Sequence, residues 1–109
     1  MYLARVIGSV VSSNKDATMR GQKLLLVRPM LIDGADPSRF SPGKNTLVAL
    51  DSVGAGEGDM VLFCQGSSAR QAAGMKPLPT DAAIIGIVDS VDVLGRRLSV
   101  ESAEEAGAT

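Results

Sequence analysis

From Tyr2 to Val11 the small and apolar residues Ala4, Val6, Gly8 and Val10 recur at every second position, with Arg5 and Ser9 sharing the alternate face. A period of two is that of a β-strand with one side turned to a core, and Gly8 marks a bend within it. Ser12 to Ala17 has turn composition. Lys23 to Ile32 (K-L-L-L-V-R-P-M-L-I) resumes an apolar run as a second strand, in which Pro29, lacking an N–H, limits central pairing. Asp33 to Lys44 holds two prolines and two glycines with little periodicity, so it is expected to be a loop and a variable surface excursion.

Thr46 to Val53 and Met60 to Gln65 predict third and fourth strands, joined through Gly54, Gly56 and Gly58 by a hairpin-like connection. Ser67 is placed to cap a short helix through Ala73, which Gly74 ends. Between Ala82 and Leu94, Ile84, Ile85, Ile87 and Val88 put apolar groups on both faces of a strand, as a closed barrel or a subunit interface requires. Gly95-Arg96-Arg97 reads as a tight basic turn before a last strand, Leu98 to Val100. About five strands and one short helix predict a mainly all-β fold, a small OB-like Greek-key barrel. Residues 1–100 form the single domain, and 101–109 an acidic tail, with Glu101, Glu104 and Glu105, that frays into solvent.

Composition narrows what such a barrel does. The 109 residues suit one domain; 45% are hydrophobic but only 3% aromatic, so the core is expected to be aliphatic. Eleven basic and twelve acidic residues leave a net charge of -1, which gives no general attraction to nucleic acid. The chain has no histidine, which removes the Ser/His, Cys/His and His-metal constellations together. A single cysteine, Cys64, excludes an intrachain disulfide, suits a reducing compartment and is read as a packing residue. The N-terminus carries no leader pattern, and Ala82 to Val88, the longest uncharged apolar stretch, is far short of the roughly 20 residues that cross a bilayer. A cytoplasmic protein without a membrane partner is expected.

Two glycine-punctuated motifs stand out between Asp51 and Arg70. Gly54-Ala55-Gly56-Glu57-Gly58 has G-x-G-x-G spacing rather than the dinucleotide fingerprint, a strand follows it rather than a helix, and Glu57 and Asp59 would repel a pyrophosphate. Gly43-Lys44 fails the Walker pattern because Asn45 follows the lysine. Gly66-Ser67-Ser68-Ala69-Arg70 lacks the last glycine of a nucleophile elbow, and helix capping by Ser67 is favoured over catalysis. Arg70 is read as a structural or interfacial ion-pair donor, its planar fork suiting a carboxylate or carbonyl on a neighbouring chain. The acidic residues Asp51, Glu57, Asp59, Asp81, Asp89 and Asp92 have no EF-hand spacing. No metal, cofactor or catalytic residue is assigned. Two readings stay open at this point: an OB-like module for single-stranded nucleic acid, for which only Tyr2, Phe40 and Phe63 could stack on bases, and a small enzyme pairing Ser67 or Ser68 with Lys23, Lys44 or Lys76.

Several segments together carry a family resemblance: M-Y-L-A-R-V-I-G-S-V-V-S-S-N-K at Met1 to Lys15, G-Q-K-L-L-L-V at Gly21 to Val27, V-A-L-D-S-V-G-A-G-E-G-D-M-V-L at Val48 to Leu62, G-S-S-A-R at Gly66 to Arg70 and D-A-A-I-I-G-I-V-D at Asp81 to Asp89. In this order they resemble the EutN/CcmL family of bacterial microcompartment vertex proteins, with Met19 standing where the family usually has leucine. The resemblance implies a non-enzymatic shell protein, a homopentamer at the vertices of a polyhedral shell beside hexagonal shell proteins. Residues Gly54, Ala55, Gly56, Glu57 and Gly58, with Gly66, Ser67, Ser68, Ala69 and Arg70, are then the expected subunit contacts near the five-fold axis. Glu57, Ser67 and Ser68 are the candidates for a pore rim.

Overall fold

The computed structural model describes residues 1–13, 21–66, 69 and 80–101. Among them run eight strands: β1 (Tyr2–Val10), β2 (Lys23–Ile32), β3 (Phe40–Pro42), β4 (Leu47–Asp51), β5 (Met60–Gln65), β6 (Ala82–Ile87), β7 (Val91–Val93) and β8 (Arg96–Leu98). The main sheet has the order β1-β5-β6-β4-β2-β3, and β1 also pairs with β2, so β1, β5, β6, β4 and β2 close on themselves. Numbered one to five along the chain, these barrel strands follow the order 1-2-3-5-4-1, the OB-like Greek key expected from the sequence. All pairs are antiparallel except β4 with β6, which is parallel. The expected helix from Ser67 and the tail after Glu101 lie outside the described residues.

Inward positions of these strands, among them Ala4, Val6, Val27, Ala49, Val61 and Ile84, surround Phe63, which is fully buried. One ring and a set of small aliphatic side chains fill a barrel this narrow, which accounts for the low aromatic content. Closure also explains why Ala82, Ala83 and Ile84 are all buried. Inside lie Ala82 and Ile84, while Ala83 faces out and packs with Leu50 and Ala69.

Three local expectations are corrected. Ile7 is skipped in the register between β1 and β2, where Val6 pairs with Val27 and Gly8 with Leu26. The extra residue of this bulge inverts alternation, so Gly8 and Val10 do not share the inward face of Ala4 and Val6. Gly54 to Gly58 is not a hairpin: β4 and β5 each pair with β6, and the loop crosses between them. The strand expected over Ala82 to Leu94 ends at Ile87, and the remainder makes a hairpin, β7 with β8, in a separate sheet.

The excursion 33–44 also contains structure that composition concealed. Phe40 opens β3 and is 7% exposed, buried against Met30, Met60 and Leu98 on the outside of the barrel. Asp33 accepts the Ala35 amide (2.8 Å), and Asp36 accepts the amide (3.1 Å) and the hydroxyl of Ser38, shaping the turn before it. Those Ser38 bonds hold the Asp36 carboxyl below the usual aspartate range. Pro29 sits where β2 changes partners: Lys23 to Val27 pair with β4 and Met30 to Ile32 with β3. Its missing N–H costs no ladder bond there, and its carbonyl accepts the Gly43 amide at 2.7 Å.

Since Phe63 is the only ring in the barrel interior, Phe63→Ala is expected to lower unfolding free energy by about 3–5 kcal/mol, the range for removing a buried aromatic. A urea denaturation series at fixed protein concentration measures it. A loss below about 1 kcal/mol would mean that the barrel does not depend on this side chain.

Candidate functional site

The loop from Asp51 to Asp59 is built around a carboxylate. Asp51, the last residue of β4, is 8% exposed; its Oδ1 accepts the Val53 amide (3.1 Å) and its Oδ2 the buried Ala55 amide (2.9 Å). Opposite it in register is Lys23, the first residue of β2, whose Nζ lies 3.6 Å from Oδ2 and donates to the Ala55 carbonyl. Ala55 is thereby seated in the barrel core with no exposed surface. The glycine motif thus inserts a methyl group into the barrel end, which its sequence did not reveal.

The remainder of the loop is a tight turn followed by a splice onto β1. Asp59 N donates to Gly56 O (3.0 Å), and the Asp59 side chain accepts the Gly56 amide (2.8 Å). Gly58, third in this four-residue turn, has φ +93°, the signature of a type II turn that only glycine adopts freely. Gly58 N donates to Val6 O (2.8 Å) and Val6 N to Asp59 O (2.9 Å), extending the ladder of β1 and β5. Arg5, 4% exposed, donates through Nη1 to the carbonyls of Gly58 (2.8 Å) and Val100, tying the loop to the C-terminal segment. Strand alternation put Arg5 on the face opposite Ala4 and Val6, and in the fold that face is covered at Arg5. An Asp three residues before the first glycine of a glycine-rich stretch was the available signal for Asp51; nothing local pointed to Arg5.

The three loop glycines differ in what holds them. Gly54 has φ +82° and Gly58 φ +93°, so the backbone requires both. Gly56 is not in the positive-φ region, and a Cβ built there would meet only Asp59 Oδ2, at 4.0 Å. Within the subunit neither space nor conformation demands a glycine at 56. Glu57 is exposed beside it.

The second motif lies apart from the first. Gly66 (φ +67°) donates its amide to Asp81 O at 2.7 Å, next to the start of β6. The first loop leaves β4 beside Ile84 and rejoins the sheet at Met60, whose carbonyl accepts the Val88 amide just past the end of β6. The two motifs therefore lie toward opposite ends of that strand. Ala69 is fully buried against Leu50 and Ala83. Ser67, Ser68 and Arg70 lie outside the described residues. For the open chemical readings, Lys23 is engaged by Asp51 and Ala55. Phe63 and Phe40 are buried, which leaves Tyr2, 50% exposed and packed on Phe63 at 5.4 Å, as the accessible ring.

Compared with known proteins, the chain matches over residues 1–89 the family described as ethanolamine utilisation protein EutN/carboxysome. It is 48% identical over 91 residues to PduN of Salmonella typhimurium, a bacterial microcompartment shell vertex protein, the match covering 84% of this chain and 98% of that protein. The structure of CcmL from Gloeobacter violaceus aligns with a TM-score of 0.77 at 47% identity, covering 91% of this chain and 96% of that one. GrpN of Rhodospirillum rubrum, a pentameric microcompartment shell protein, aligns with a TM-score of 0.70 at 40% identity, covering 86% and 99%.

Both Asp51 oxygens accept backbone amides, whereas asparagine offers one acceptor and two donors. Asp51→Asn, nearly identical in shape, is expected to set an N–H against the Ala55 amide and cost about 1–3 kcal/mol. Hydrogen exchange at Ala55 should accelerate well ahead of exchange in β5. Unchanged protection of Ala55 would show that the carboxylate does not hold the loop.

Proposed function

The chain belongs to the family of ethanolamine utilisation protein EutN and its carboxysome relatives, and on that premise we propose that it is a structural protein of a bacterial microcompartment shell, a pentamer at the shell vertices. One observation carries the reading: nearly the whole chain, in sequence and as a folded barrel, matches proteins named as shell vertex proteins, one of them pentameric. The physics of the role is geometric. A flat layer of hexagonal tiles cannot close, and five-fold tiles introduce the missing curvature. Rings of five require a head-to-tail contact between two unlike surfaces of each subunit.

In this reading the neighbours are hexagonal shell proteins, the ring works in the bacterial cytoplasm, and the protein carries out no reaction and engages neither nucleic acid nor membrane. The subunit contact near the five-fold axis includes the part of the first glycine motif that its own subunit does not bury, Gly54, Gly56, Glu57 and Gly58, and from the second motif Gly66, Ser67, Ser68 and Arg70. Ala55 and Ala69 drop out of that surface because their own subunit buries them. Support comes from Gly56, whose lack of a side chain answers to no internal requirement and suits close backbone approach by another subunit. Glu57, Ser67 or Ser68 is the candidate for the rim of a pore.

Gly56→Leu is expected to abolish the ring while the barrel still folds, and Gly56→Ala to keep both folded barrel and some assembly. Light scattering with far-UV circular dichroism reads the outcome, the wild type giving five times 11.2 kDa. An intact pentamer for Gly56→Leu would remove the close-approach argument. A monomeric wild type would remove the vertex reading itself.

A further inference from the structure

Arg28 sets a buried donor on the outer wall with nothing to receive it. Its neighbour Val27 points into the barrel core, so Arg28 lies on the opposite, outward side of β2, half-buried. The Nε–H of its guanidinium is shielded from water and has no acceptor among the described residues. Native proteins leave few such groups, because a desolvated donor on a charged side chain opposes folding until something accepts from it. Strand register sharpens the demand: Arg28 pairs directly with Arg5 across β1 and β2, and like charges facing each other on one side of a sheet repel.

A carboxylate answers both needs. It accepts side-on from a guanidinium, taking Nε–H and one Nη–H together, and brings a negative charge with it. The chain delivers carboxylates to this place. Arg5 Nη1 holds the Val100 carbonyl, which fixes the start of the acidic tail beside the two paired arginines. Beyond Val100 the sequence is E-S-A-E-E-A-G-A-T, with Glu101, Glu104 and Glu105 and no base. Glu101 is exposed, its amide donating to Ser99 Oγ at 3.2 Å. Glu104 follows Val100 by four residues, a reach of about 13 Å when extended, against about 5 Å between the Cα atoms of residues paired across two strands.

We propose that the acidic tail folds back over the outer wall of its own subunit, where Glu104 or Glu105 accepts the Arg28 Nε–H. The tether favours the chain's own carboxylates over those of a second copy or a free anion, since a group on a short linker is present at an effective concentration of the order of millimolar. Docked in this way, the tail presses Val100 against Arg5, whose Nη1 also holds the Gly58 carbonyl, so the strap continues into the first glycine motif. Docking of this kind does not depend on the vertex role.

Nitrogen-15 NMR of the full chain at about pH 6, where glutamates are ionised, reads the exchange of the Arg28 Nε–H with water. In the double variant Glu104→Gln, Glu105→Gln that exchange is expected to run about tenfold faster, the order of a lost charge-assisted hydrogen bond. Arg28→Gln is expected to release the backbone amides of Glu104 and Glu105 to the fast motion of a free tail. Unchanged exchange in the double variant would overturn the proposal, as would amides at 104 and 105 that already move as freely in the wild type. Isotope-labelled wild type mixed with an excess of the unlabelled double variant tests whose tail is bound. The labelled Arg28 should keep its protection; losing it in the mixture would assign the carboxylate to a second copy and overturn docking on the same subunit.

Discussion

The Asp51 carboxylate, shared between two backbone amides, secures the place where this barrel would otherwise stay open. Closing five strands removes exposed edges from the wall but leaves two ends. A core with one ring and a few small aliphatics has little side-chain volume to cover an end. The chain solves this with backbone: the crossover between β4 and β5 dips into the end and leaves Ala55 there. That path needs an internal anchor, because a buried amide without an acceptor opposes folding by more than one methyl group contributes. Asp51 supplies the acceptor, Lys23 ties the same loop to β2, and Arg5 ties its far side to Val100. Barrel, loop and C-terminal segment are thus joined by three charged side chains.

The outer wall follows from the same narrowness. Strand pairing aligns Val10, Leu24, Leu50, Ala83 and Cys64 as an outward row running across five strands. Ala69 covers part of that row, and the segment through β7 and β8 covers another part of the wall, with Leu98 and Val100 against Leu3, Met30 and Met60. The hairpin has no ladder bonds to the barrel. Burial of Leu98, worth about 1.5–3 kcal/mol at full value, the packing of Val91 and Val93 on the same cluster, and the Arg5 bond to Val100 hold it in place.

How much of this the sequence disclosed depended on whether the signal was local. β1, β2, β4 and β5 were legible because alternation and apolar runs are properties of neighbouring residues, and β6 because a short strand apolar on both sides calls for a closed barrel or a subunit interface. The partner of a strand is not a local property, so the crossover at Gly54 to Gly58 read as a hairpin. Gly8 was visible as a bend, but the inversion it accompanies depends on one skipped residue, Ile7. Phe40 was masked by a proline- and glycine-rich setting, although an isolated ring there was a hint of packing. At the candidate site the glycines marked the right segment, yet their different roles, and those of Ala55 and Arg5, appear only once the loop is seen entering the barrel.

Residues that satisfy their own subunit and residues that do not can be separated here. Natural sequences agree with their local structure at most positions, and departures gather where something other than folding is selected. Positive φ accounts for Gly54 and Gly58, core burial for Ala55, and the partner switch for Pro29. Gly56 and Leu94 remain without such an account: the subunit has room for a side chain at 56, and Leu94, at φ 51° with its side chain 84% exposed, would be relaxed by a different one. A subunit that packs against copies of itself meets a demand the isolated fold does not impose, and a surface optimised for that contact cannot also be optimised for the isolated fold.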